Sequence, residues 1–192
     1  MGRPREFERD AVLDRALELF WQRGFDGTSM ADLVEHLGIG RQSLYDTFGD
    51  KRAMYLEALD RYHATRASLP WEVLDQHPLR PGLRTLMTSM VDWLLESTHG
   101  RSCMLVAAAA ERCPADAEVG ARFCANTANI ERHLRQRLER ARAEGDLGRH
   151  HDPEALARFL TSTMYGLQLS AKGGLDRAAL LQIVDVALSA LG

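Results

Sequence analysis

Apolar residues recur three and four positions apart along most of this chain, the spacing of amphipathic helices. Val12, Ala16, Leu19 and Phe20, flanked by Leu13 and Leu17, predict a helix from Phe7 to Arg23. Gly24 ends it, and Phe25 fits the apolar contact that often follows such a stop. Ser29 with Asp32 three residues on is a capping-box spacing that opens a second helix, with Ala31, Val34 and Leu37 as its expected apolar face. Gly38 ends that helix, and Ile39 is expected as the buried plug of the turn. A third short helix opens at Gly40–Arg41, with Leu44 and Phe48 inward and Arg41, Gln42, Ser43, Tyr45 and Thr47 on its outer faces. Two short helices joined by a tight glycine-containing turn make a helix-turn-helix, whose second helix lies in the DNA major groove.

The outer residues carry suitable chemistry. Arg41 can fork onto guanine and Gln42 can pair with adenine, while Ser43 reaches a base edge or a phosphate. Tyr45, Thr47 and Lys51 can donate to phosphate oxygens, which set register without reading sequence. Thr28 and the amides opening the second helix form an anion site. Tyr45 falls between Leu44 and Phe48 rather than in register with them, so packing does not account for it.

Further on, Asp50 caps a long helix from Lys51 to about Leu69, lined by Met54, Tyr55, Ala58, Leu59 and Tyr62 and stopped by Pro70. Prolines 70, 78 and 81 break the next stretch, which marks a boundary. The division is 1–50 for DNA binding, 51 to about 69 as a linking helix, and 70–192 for regulation and dimerisation. Pro81 suits the first turn of a helix to about Ser97, whose apolar arc (Leu83, Leu86, Met87, Met90, Val91, Leu94, Leu95) is broad enough for burial on more than one side. His99–Gly100 break it. An alanine-rich segment over 102–113 follows, stopped by Pro114. Then come helices over about 116–144, with Val119, Phe123, Ile130, Leu134 and Leu138 inward, over 153–172, and from Asp176 to Leu191. The fold class is all-α. The last two helices are the expected dimer interface, with Leu156, Phe159, Leu160, Thr163, Met164 and Leu167 on one and Leu180, Leu181, Val184, Leu188 and Leu191 on the other. Two such helices from each chain can form a two-fold four-helix bundle, and the same stripes also suit closure of the chain's own core.

Charge complicates the DNA reading. The net charge is −3, and residues 1–60 hold eight Lys and Arg against twelve Asp and Glu. Phosphate binding normally leaves a basic footprint. The cations must therefore be placed rather than abundant: Arg3 and Arg5 in a loose basic arm over residues 1–6, Arg41 and Lys51 in the reading unit. Glu8, Asp14, Glu18 and Glu35 must face away, and Asp46 either accepts from cytosine or pairs with Arg41. Three cysteines 10 and 11 apart make no disulfide framework and suit a reducing cytoplasm. No apolar run is long enough for a membrane span, and no apolar segment follows the N-terminal arginines as in a secretory signal. His150–His151 lack a third ligand nearby, so no metal or other cofactor is expected. Neither a nucleophile–base set nor metal-ligand spacing supports an enzyme.

The order of basic arm, first helix, "RGFDGTSMADL" and "LGIGRQSLYDTFGDKRAMYLEAL" resembles the N-terminal domain of TetR-family transcriptional regulators over about residues 7–60. The landmarks are Gly24, Phe25, Thr28, Ala31, Gly38, Ile39, Leu44, Tyr45, Phe48 and Lys51. The resemblance implies that Thr28, Tyr45 and Lys51 touch phosphates and that Arg41, Gln42, Ser43 and Thr47 face the groove. It implies a dimeric regulator, a repressor on a palindromic operator, released by a small-molecule or reactive effector. The chain departs from the pattern at Asp46, often neutral or basic in the family, and at Arg52, often acidic. An effector pocket is expected from Met87, Met90, Trp93, Met104, Phe123, Met164 and Tyr165, residues whose helical spacing equally suits plain core. "RSCMLV" resembles a TetR subset with Gly-Cys-Leu, some of which sense electrophiles or oxidants. That resemblance makes Cys103, near a helix start and counted with the pocket residues, a redox-sensing position, and Lys172, closing the penultimate helix, is a conceivable partner; a small buried apolar role is the alternative. The rival to the regulator is a helical ligand-binding or scaffold protein without DNA binding, supported by the acidic N-terminal balance.

Overall fold

The computed structural model describes residues 8–66, 69–96, 102–113 and 115–192. The basic arm, Phe7 at the first helix start, the expected tail of the linking helix at 67–68, the His99–Gly100 break and the Pro114 stop lie outside the described residues. The helices are α1 (Arg9–Arg23), α2 (Met30–Leu37), α3 (Arg41–Phe48), α4 (Lys51–Thr65), α5 (Glu72–Gln76), α6 (Leu79–Glu96), α7 (Met104–Arg112), α8 (Ala117–Glu144), α9 (Pro153–Lys172) and α10 (Arg177–Ser189). No strand occurs among the described residues, and none of their helices is long and apolar enough to cross a membrane.

The chain folds as two units that do not follow chain order: residues 1–68 with 104–123, and 69–103 with 124–192. In the first unit, α1 packs on α4 and α2, and α4 also receives α3 and α7. Val12, Leu13, Ala16, Leu17, Leu19 and Phe20 are buried along α1, as the spacing predicts. Phe20 and Phe25 each meet the ring of Tyr55 at 5.0 Å, and Trp21 meets Tyr62 at 5.2 Å in an edge-to-face contact. Such pairs add about 0.5–1.5 kcal/mol beyond their burial. The buried face of α2 is Leu33 and Leu37, with Val34 half-buried and Ala31 exposed, so the expected face is rotated. Ile39 is half-buried rather than a sealed plug.

In the second unit, α6, α8, α9 and α10 enclose one apolar core. Asp152 caps α9, whose first residue is Pro153, and Asp176 caps α10, each through a side-chain oxygen on a backbone amide. Ile130, Leu134 and Leu138 of α8 lie in this core. Two expectations need revision. The proline-broken stretch after Pro70 contains α5, and α6 starts at Leu79, where its amide donates to Asp146 Oδ2 at 2.6 Å. Most of the stripe assigned to dimerisation closes this chain's own core: Leu160, Met164, Leu167, Leu180, Val184, Leu188 and Leu191 are buried within it. The large apolar side chains that α9 and α10 leave exposed share Phe159 with that stripe and add Leu169 and Val186.

Candidate nucleic-acid interface

The geometry of α2 and α3 follows from their ends. Ser29 Oγ accepts from the Asp32 amide at 3.1 Å, and Asp32 Oδ2 accepts from the Ser29 amide at 2.8 Å, closing the capping box. The Ser29 hydroxyl donates to the same carboxylate and, with the Ser29 amide, holds the Asp32 carboxyl below its ordinary range. At the other end Gly38 adopts φ 67°, a left-handed conformation that costs glycine little, and its amide returns to Val34. Arg15 of α1 donates to the Leu37 carbonyl at 2.9 Å and also to that of His36, so a cation closes the C-terminus of α2 where the helix dipole favours it. The turn is thereby fixed from both sides.

The eight residues of α3 divide as the spacing predicts. Leu44 and Phe48 are buried, while Arg41, Gln42, Ser43 and Tyr45 are exposed and Thr47 is half-buried. Tyr45 presents 42% of its surface to solvent, which rules out a packing role. Asp46 accepts a hydrogen bond from Gln42 Nε2 at 2.8 Å, one helical turn away. It therefore orients the glutamine amide rather than pairing with Arg41. Acidic residues of the first unit are largely matched with cations on α1 and α4: Asp14 receives two bonds from Arg61 at 2.8 and 2.9 Å, Glu57 pairs with Arg9, and Glu18 with Arg66. The Arg61 hydrogen bonds keep the Asp14 carboxyl below its ordinary range.

Two expected phosphate contacts look inward. Thr28 is fully buried, and its hydroxyl donates to the Gly24 carbonyl at 2.7 Å. Lys51 Nζ donates to the carbonyls of Phe25 and Thr28 at 2.9 and 2.8 Å and lies 3.9 Å from the centre of the Phe25 ring. An ammonium has three donors, so one remains. Lys51 thus binds the start of α4 to the loop before α2, and Thr28 closes that loop on the end of α1.

Spacing gives no sign of the α7 residues that grip this loop, or of Asp116, just before α8, which holds the start of α4. Glu111 accepts the amides of Phe25 and Asp26 at 3.0 and 2.7 Å. Gly24 adopts φ 75°, which glycine takes at little cost, and a Cβ there would stand 2.8 Å from Glu111 Oε2 and displace that carboxylate. Arg112 lies 4.6 Å over the Phe25 ring and reaches Asp26. Asp116 receives Nε and Nη2 of Arg52 at 2.8 Å each and caps α8 through the amides of Glu118 and Val119. The Arg52 hydrogen bonds lower its carboxyl to about 2. Arg52, a departure from the family pattern, is therefore one half of a bidentate pair.

The positions expected to meet an effector are split between the units. Met87, Met90 and Met164 are buried in the second unit, where Trp93 is 42% exposed and Tyr165 is half-buried. Met104, buried, and Phe123, half-buried, belong to the first. Cys103 is half-buried immediately before α7, and its amide donates to Gln168 Oε1 at 3.0 Å. Tyr165 Oη lies 2.9 Å from Thr127 Oγ1 and 3.4 Å from Asn126 Nδ2, and burial raises its pKa. Asn126 and Gln168, both buried, join this group without any sequence signal beyond helical position. Lys172, exposed at the end of α9, follows Gln168 by one turn. The His150 and His151 rings lie tilted against each other with centres 4.0 Å apart, and among the described residues no three His, Cys, Asp or Glu side chains are grouped to hold a metal.

Comparison with known proteins agrees with the helix-turn-helix geometry. Residues 12–58 match the family model for bacterial regulatory proteins of the tetR family, and residues 80–185 match a tetracyclin repressor-like C-terminal domain. The chain is 36% identical over 193 residues to the uncharacterized HTH-type transcriptional regulator YezE of Bacillus subtilis (strain 168), spanning 100% of both. It is 31% identical to the HTH-type transcriptional repressor ComR of Escherichia coli (strain K12), over 97% of this chain and 90% of that one. Among solved structures, a cysteine mutant of the TetR family transcriptional regulator CifR, complexed with 26-base-pair double-strand operator DNA, superposes with a TM-score of 0.85 at 36% identity over 100% of each chain. A helix-turn-helix with a polar outward α3, followed by a helical body matched along its own length, leads to one conclusion: the chain belongs to the TetR family of transcriptional regulators.

Proposed function

We propose that this regulator is a repressor that binds a palindromic operator as a homodimer in the cytoplasm, with α3 in the major groove. The observation that carries the reading is the outward display of Arg41, Gln42, Ser43 and Tyr45 on a helix anchored by Leu44 and Phe48. Arg41 and Gln42 read bases, Ser43 and Thr47 face the groove, and Tyr45 and the remaining donor of Lys51 meet phosphates. Thr28 contributes through the loop that it fixes. Support also comes from the relatives: ComR is a repressor, and CifR was solved on its operator. For the dimer, Phe159 at 44%, Leu169 at 49% and Val186 at 70% exposure leave apolar surface on α9 and α10, with the small Ser162 and Gly166 exposed between. A second copy would cover it in a two-fold four-helix packing. For the effector, the Met87, Met90, Trp93, Met164 and Tyr165 positions of the second unit supply apolar lining, and Cys103 of the same unit supplies a thiol, with Lys172 as its cationic partner.

The test is fluorescence anisotropy with DNA from upstream of the protein's own coding region, against scrambled DNA, over a range of salt. Specific, salt-dependent binding that Arg41→Ala weakens supports the reading. Equal affinity for both DNAs, or none, favours the helical scaffold instead. Release by peroxide or an aldehyde that persists unchanged in Cys103→Ser removes the cysteine from the effector role while leaving the operator reading intact.

A further inference from the structure

One residue of α3 is acidic, Asp46, and it lies one turn beyond Gln42 on the same exposed side. A carboxylate there opposes the approach of DNA phosphates. Among the described residues no cation pairs with it, and the bond it accepts is the 2.8 Å contact from Gln42 Nε2. A carboxylate has no proton to donate, so that bond settles which end of the amide faces Asp46. Nε2 is turned toward the carboxylate, and Oε1 is left free to accept. One Nε2 hydrogen and the second oxygen of Asp46 also remain.

These groups sort the bases by what each shows in the major groove. Guanine shows two acceptors, O6 and N7, and thymine shows O4; adenine shows the N6 amine beside N7, and cytosine shows the N4 amine. An unrestrained glutamine amide turns either end toward a base, so it serves guanine with its hydrogens and adenine with both of its ends. Held by Asp46, Gln42 offers Oε1 and a single hydrogen. Adenine uses both, N6 donating to Oε1 and N7 accepting from Nε2. Cytosine N4 donates to Oε1 or to the second oxygen of Asp46. Guanine and thymine bring an oxygen against these oxygens, with the carboxylate charge behind them and at most one hydrogen to share.

We propose that Gln42 reads an amino-bearing base, adenine or cytosine, at one position of each operator half-site, with Asp46 as the positioning residue that excludes guanine and thymine there. This recognition rests on the operator reading, since α3 must enter the major groove. The full chain is first used to select binders from a library of duplexes randomised in sequence. Anisotropy then follows on the selected duplex, with each of the four bases placed in turn at every half-site position. One position, the same in both half-sites, should bind A and C about fivefold or more tightly than G and T. In Asp46→Asn the neutral side chain turns either end to Gln42, so G and T should gain about fivefold relative to A and C at that position alone. Gln42→Ala should level all four bases there and leave the other positions unchanged. Both residues are exposed, so each variant should melt with the parent. A selected duplex with no such amino-over-keto position, or with one that Asp46→Asn leaves intact, overturns the role of the pair while the operator reading stands. Selection that enriches no sequence overturns both.

Discussion

Asp116 offers the sharpest quantitative test of how the first unit is held together. Its carboxylate, with 4% of the side chain exposed, performs two separable tasks: it accepts two bonds from Arg52 at 2.8 Å and caps α8 through the amides of Glu118 and Val119. Loss of a capping side chain costs about 1 kcal/mol. A bidentate charge-assisted pair is worth about 1.5–3 kcal/mol when fully enclosed. The Arg52 side chain is 41% exposed and also reaches Glu118, so solvent screening brings that down to about 1–1.5 kcal/mol. Asp116→Asn keeps a cap oxygen and should cost about 1–1.5 kcal/mol, whereas Asp116→Ala loses both tasks and should cost about 2–2.5 kcal/mol. Urea unfolding at one fixed protein concentration measures both, and a double-mutant cycle with Arg52→Met isolates the pair. Acid supplies an independent check. Because the folded carboxyl is lowered to about 2, its stabilisation is complete above the ordinary carboxylate value and is lost as pH falls from about 4 through about 2. The difference between parent and Asp116→Asn should shrink over that window. Equal costs for Asn and Ala would refute the capping task, and a coupling below about 0.3 kcal/mol would refute the bidentate pair.

Three shorter expectations follow. Asp46→Asn removes a negative charge from the reading helix and loosens Gln42, so operator affinity should rise about twofold to fivefold while discrimination against scrambled DNA falls; anisotropy with both DNAs decides it. Gly38→Ala meets no atom within 4 Å but forces a side chain to φ 67°, so it should cost about 1 kcal/mol in urea unfolding, purely from backbone conformation. Phe159→Glu together with Val186→Glu, both at exposed positions, should yield a monomer by analytical ultracentrifugation whose melting temperature no longer depends on protein concentration; a persistent dimer would place the interface elsewhere.

What could be read from the chain was mostly local. Leu44 and Phe48, four apart, define the inner side of α3, and that alone sends Arg41, Gln42, Ser43 and Tyr45 outward. In α2, eight residues long, Ala31–Val34 and Leu33–Leu37 both satisfy helical spacing, and the larger pair takes the core. The α9 and α10 stripes were visible, but spacing does not say whether a partner or the same chain covers them; small residues such as Ser162 and Gly166 hide the outward face from a search for apolar positions. The contacts of Glu111 and Asp116 join residues 64 to 86 positions apart, a separation at which no periodicity operates. The roles of Thr28 and Lys51 depend on the same tertiary loop.

That a later stretch, residues 104–123, folds with residues 1–68 bears on how this protein is cut and rebuilt. A fragment ending near residue 68 would lack the carboxylates that seat the Phe25–Asp26 amides and the Arg52 fork. A chimera that transplants operator preference between relatives must therefore carry two separated gene segments, and one that moves only the first should express poorly or read DNA with a slackened head.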